Sequence, residues 1–195
     1  MTKSRLLTAW RGTRQAAFQL RDDTRGLSAV EFAVILPMML VLFFGLVEIS
    51  NGVAADRKVT LTARALSDLI SQAITVTDTD INESFSASKG VMAPFDTSTI
   101  KSVVSEVKID SSGNAKIAWS KANANASARP VNSSVTIPAS LAVPNTYLIW
   151  SEVSYDYKPA VGYVVSKATG IPLKEEFFTR PRQSNCVLYG TASCP

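Results

Sequence analysis

A single carboxylate, Glu31, stands near the start of an otherwise apolar run from Leu27 to Val47, with Gly26 five residues before it and Phe32 beside it. A charged side chain inside a membrane span costs about 2.5 to 3.5 kcal/mol on insertion scales, so it needs a partner or a task there. Other residues able to do chemistry are sparse. The chain has no His, which removes the commonest general base and every Ser-His or Cys-His arrangement. Asp78, Asp80 and Glu83 form a small acidic group that reads as a solvated loop, with cation binding as the alternative. Two Cys without His offer too few soft ligands for a metal centre. No phosphate-cradling Gly motif is present. Arg180 and Arg182 flank Pro181 and could bind an anionic partner or pair with Glu175, Glu176 or Asp156. Tyr155 and Tyr157 read as a sheet face. The chain is expected not to be an enzyme and to carry neither cofactor nor metal.

Charge is distributed unevenly. Lys3, Arg5, Arg11, Arg14, Arg21 and Arg25 precede Gly26 against Asp22 and Asp23, a net +4, whereas the remainder holds 14 basic and 14 acidic residues. The excess therefore lies just before the apolar run, where the positive-inside bias of membrane proteins accounts for it, and nucleic-acid binding is not expected.

These residues need elements to hold them. Leu27 to Val47 is 21 residues, which as a helix spans about 30 Å, the thickness of a hydrocarbon core. Pro37 removes one backbone donor and favours a bend. Past the apolar run, Val59, Ala63, Leu66, Ile70 and Ala73 recur at spacings of three and four, the signature of one buried helix face. One helix is expected from about Ser28 to Ala73, the alternative being two helices broken at Ser50 to Gly52. From Thr75 the pattern changes to strands. Val103, Ser105, Val107 and Ile109 alternate with Val104, Glu106 and Lys108; Asp110 to Asn114 makes a turn; Ala115, Ile117 and Trp119 alternate with Lys116, Ala118 and Ser120. Lys121 to Ser134 reads as an exposed loop, Tyr147 to Tyr157 as the strongest strand, closed by Pro159, and Glu176 to Arg180 as another. The domain organisation is thus a basic leader at 1–26, a transmembrane helix at 27–50, its continuation at 51–75 and a β-rich domain at 76–195, an α+β chain.

The spacing of Gly26, Leu27, Glu31 and Phe32 resembles the signal of the prepilin-like proteins of the tight-adherence (Tad, Flp-type) secretion system. Further segments resemble the TadE-like proteins in the expected order: Arg64 to Gln72 (RALSDLISQ), Ile137 to Pro159 (IPASLAVPNTYLIWSEVSYDYKP) and Phe177 to Arg182 (FFTRPR). The inserted adhesion-type domain of the longer TadG proteins is missing. The resemblance implies a type IV pilin-like fold, with a long amino-terminal transmembrane helix before a small periplasmic domain. It implies a minor pseudopilin or assembly factor of a type IVb pilus, cut after Gly26 by a prepilin peptidase so that Leu27 becomes the new amino terminus and Glu31 and Phe32 serve recognition and assembly. The implied place is the bacterial inner membrane, single-pass, amino end cytoplasmic, with other Tad pilins and pseudopilins as partners. In an oxidising periplasm Cys186 and Cys194 can form a disulfide. Two other readings remain: an uncleaved membrane-anchored scaffold of the secretion apparatus, and a soluble domain released by cleavage after Ala55.

Overall fold

The computed structural model describes residues 25–159, 170–190 and 193–194, so the basic leader before Arg25 lies outside the described residues. Helix α1 is Arg25–Ser71, 47 residues without a break at Ser50 to Gly52, and it runs through Pro37. It is followed by β1 (Thr75–Val76), α2 (Asp78–Gly90), β2 (Lys101–Ile109), β3 (Ala115–Ala122), β4 (Ser134–Val135), a single 3-10 turn at Ala139–Leu141, β5 (Thr146–Tyr157), β6 (Ile171–Thr179) and β7 (Leu188–Tyr189). The order gives an α+β fold: a long, initially apolar helix and then a small β-rich domain.

Two compact units meet in the sequence between Val47 and Glu48. In the first, the side chains from Leu27 to Leu46 are all exposed, and the helix is long and apolar enough to cross a membrane. In the second, a five-stranded antiparallel sheet of order β4-β3-β2-β5-β6 packs against the later turns of α1. The helix buries Ala55, Val59, Ala63, Leu66 and Ile70, the face that the three-and-four spacing marks out. Against it lie Val104, Ile149, Val153, Tyr155 and Tyr157 of the sheet. Two hydroxyls fasten helix to strand: Ser151 donates to the Ala63 carbonyl at 2.7 Å and Ser67 to the Ile149 carbonyl at 3.2 Å.

The β2–β3 hairpin and its turn lie where the alternation puts them. Asp110 Oδ1 accepts the Ser112 and Asn114 amides at 2.9 and 2.8 Å, and Gly113 supplies the positive φ, +82°, that a side chain would resist. Two details differ from simple alternation. A register shift pairs Glu106 with Trp119 and Val107 with Ile117, leaving Ala118 as an extra residue. This bulge sends Trp119 to the helix face while Ala115 and Ile117 stay on the other. The outer face is also a core: Val107, Ile109, Leu148, Trp150 and Ile117 are buried there beneath Val135, Ile137 and Leu141. Consequently β2 is buried on both sides, and Glu106 is inside the protein rather than on a solvent face.

Three other expectations change. The stretch containing Asp78, Asp80 and Glu83 is the start of α2, not a loop. Thr77 and Asp80 form a reciprocal cap: the Asp80 carboxylate accepts the Thr77 N–H at 2.8 Å, and the Thr77 hydroxyl accepts the Asp80 N–H at 3.3 Å. Ile81, Phe85 and Ser88 are its buried face. The segment from Lys121 to Ser134 is only partly a loop, because β3 runs to Ala122 and buried Asn123 holds Ser102 N–H and the Ile100 carbonyl. The strand expected over Glu176 to Arg180 runs instead from Ile171 to Thr179 and pairs with Ile149 to Tyr157 of β5.

Replacing the fully buried Leu66 by Ala should cost about 2 to 5 kcal/mol of stability, whereas Leu61→Ala, at a position 52% exposed, should change it by less than about 0.5 kcal/mol. Denaturant unfolding of the full chain in detergent measures both, and equal effects would contradict the packing described.

Candidate processing and assembly site

Gly26, Leu27, Glu31 and Phe32 fall within the first turns of α1. Gly26 makes this part of the helix easier to open, being about 1 kcal/mol poorer than Ala in a helix interior. Leu27 and Glu31 are four residues apart and so share a face, and helical side chains lean toward the amino end, which aims Glu31 at the backbone of Leu27. All four side-chain positions are exposed. A Cβ built on Gly26 would meet nothing within 4 Å. Among the described residues no contact calls for glycine at 26 or for a carboxylate at 31.

At the other end of the sequence, Cys186 and Cys194 are joined by a disulfide with Cα atoms 5.8 Å apart. Cys186 is buried and Cys194 exposed. Arg182 pairs with Asp68 of α1, a partner different from the acidic residues that sequence proximity suggested, and its amide donates to the Ser71 carbonyl at 2.9 Å. Arg180 is exposed beside Pro181, Tyr147 and Cys194. Asp78 is bound to Lys121 at 2.9 Å and to the Tyr189 hydroxyl at 3.0 Å, and these partners, Lys121 foremost, hold its carboxyl below the ordinary range. Asp80 is lowered likewise by Thr77. Among the described residues no three acidic, Cys or His side chains converge as a metal site.

Two polar features escaped the sequence reading. Arg129, placed in an exposed loop by its neighbours, grips Glu152 through two nitrogens at 2.6 and 2.7 Å while its guanidinium lies 4.1 Å over the Trp150 ring. Glu106 is wholly buried, and burial pushes its carboxyl up to about 7 despite the hydrogen bond from the Val187 N–H and the nearby Trp119 indole. A charged residue in a strand flanked by valines on both faces was the available signal: Val103, Val104 and Val107 leave no face of β2 free for water.

Thiol labelling of folded, unreduced protein should find no free cysteine, and two labelled thiols would contradict the pairing. Cys186→Ser with Cys194→Ser should cost about 2 to 3 kcal/mol, the loop-entropy value for a ring this short.

Neither a curated protein nor a solved structure matches the chain. Residues 26–67 match the family model described as TadE-like protein. The matched segment begins at Gly26, contains Glu31 and Phe32, and ends within the helix turns that pack on the sheet. Over these residues the amino-terminal helix is similar to the TadE-like family.

Proposed function

We propose that this protein is a minor pseudopilin or assembly factor of a Tad-type (type IVb, Flp) pilus, cut after Gly26 by a prepilin peptidase. It is a substrate and a subunit, not an enzyme. Residues 27–50 hold it in the bacterial inner membrane, with the amino end cytoplasmic and the β-rich domain periplasmic. The observation that carries this reading is the pairing of an exposed apolar helix with a Gly26 and a Glu31 whose positions are exposed among the described residues. The basic residues before Gly26 favour a cytoplasmic amino end, and the disulfide favours an oxidising compartment for the domain.

Cleavage gives Glu31 a cation. The new amine on Leu27 lies about 6 Å along the axis in the same helix at 1.5 Å per residue, and an axially shifted neighbouring subunit brings its own amine closer. In a low-dielectric surround, pairing across subunits relieves both isolated charges, so it couples assembly to processing. Other Tad pilins and pseudopilins are the partners.

Gly26→Val should leave the leader attached, because the peptidase must accept a residue without a side chain; a mature form beginning at Leu27 from that variant would defeat the assignment. Glu31→Gln keeps the shape and loses the charge. It should be inserted and largely cleaved yet fail to co-purify with pilus components or support surface pili. Normal pilus yield from it would favour the uncleaved scaffold.

A further inference from the structure

The carboxylate of Glu106 sits in the helix-side core with its two oxygens in unequal positions. Oε1 accepts the Val187 N–H at 2.6 Å. Oε2 is buried without a hydrogen-bond partner among the described residues. Val187 belongs to a strap, Arg182 to Tyr189, laid from the end of α1 to β1. The strap is tied by Arg182 N–H on the Ser71 carbonyl and Leu188 N–H on the Ile74 carbonyl, both 2.9 Å, and by the Trp119 indole N–H on the Val187 carbonyl at 2.9 Å. Its strand, β7, is two residues long and pairs in parallel with a two-residue β1. So short a ladder opens at far lower cost than the five-stranded sheet beneath it.

We propose that Glu106 is a proton-operated latch for this strap: the neutral carboxyl holds Val187 down, and loss of the proton lets the strap lift so that water reaches the carboxylate.

The reason is the composition of the site. A neutral acid tolerates one accepted hydrogen bond in a dry core, whereas an ionised one needs a cation or several donors. The charged groups on the surrounding elements are engaged elsewhere. Lys121 of β3 binds Asp78 of α2 and lies over the Tyr189 ring of the strap, 4.4 Å from its centre. Arg182 of the strap pairs with Asp68 of α1. On β2 and β5, Lys101 meets Asp156, and Glu152 is held by Arg129. Lys108 and Lys116 are exposed, as is Arg64 of α1, which lies over Phe177. None of these forms an ion pair with Glu106. Burial accordingly lifts its carboxyl from 4.5 to about 7 with the strap closed.

With the strap lifted, water returns the group to its ordinary range. The closed state then binds the proton more tightly, so closure is fully favoured below about pH 4.5, weakens as pH rises, and levels off above about 7. Between pH 5 and pH 8 the opening constant should rise on the order of 50-fold.

Amide hydrogen exchange of the full chain in detergent, corrected for intrinsic exchange rates, reads this at Val187 and Leu188, with Ile149 and Trp150 of β5 as the internal reference. The expected result is a loss of protection of that size at the strap alone. Glu106→Gln, which keeps an acceptor for Val187 and cannot ionise, should be flat across the range. Flat protection in the wild type, a slope that persists in the variant, or parallel loss at β5 would each overturn the latch. If Glu106→Gln does not fold, the wild-type profile against the β5 reference decides alone.

Discussion

The structure depends on one contact, the seating of the stripe Ala55, Val59, Ala63, Leu66 and Ile70 on the inner face of the sheet. Alanines at 55 and 63 let the backbone come close, which is why a strand hydroxyl, Ser151, can reach the Ala63 carbonyl directly. That bond and the one from Ser67 to Ile149 fix the helix along its axis as well as against the sheet. Apolar burial supplies the driving force without direction, and the two hydroxyls supply the register. The carboxy-terminal strap depends on the same seating, since Arg182 finds Asp68 and Ser71 on the last turns of this helix.

The same helix meets two kinds of surroundings and stays continuous through both. Its earlier part is apolar all round, with Leu27, Met38, Leu42 and Phe43 among the exposed side chains, as suits a helix whose solvent is lipid. Its later part has one apolar face and polar residues such as Arg57, Arg64 and Asp68 elsewhere, as suits a helix that covers a sheet. Glu48 opens the second part, and its carboxylate accepts the Tyr157 hydroxyl at 3.3 Å. Between these regimes the sequence needs no linker, because a backbone with satisfied amides is stable in both.

What was legible in the sequence was what depends on neighbours in sequence. The three-and-four spacing marked the buried face of α1, and alternation marked β2, the Asp110 turn and β5. What was hidden depends on contacts between distant segments. The bulge at Ala118 is set by the pairing of β3 with β2 and reverses the side of Trp119. The outer core forms because Val135, Ile137 and Leu141 fold back across the sheet, and it turns an alternating strand into one buried on both faces, with Glu106 inside. Helix α2 is a different case. Its Ser, Thr, Asn and Asp residues are weak helix formers, and the cap at Thr77 and Asp80, three residues apart, was the local sign that outweighed them. Of the candidate site, the spacing of Gly26, Leu27, Glu31 and Phe32 was fully visible, and the fold adds that their side-chain positions are exposed among the described residues.

The proposed role requires a helix that begins at a new amino terminus, and the intact mass and amino-terminal sequence of wild-type protein purified from membranes test that most directly. A mature form beginning at Leu27, with the disulfide retained, is the predicted result. A membrane form that still begins at Met1, or a soluble form beginning at Asp56, would contradict it.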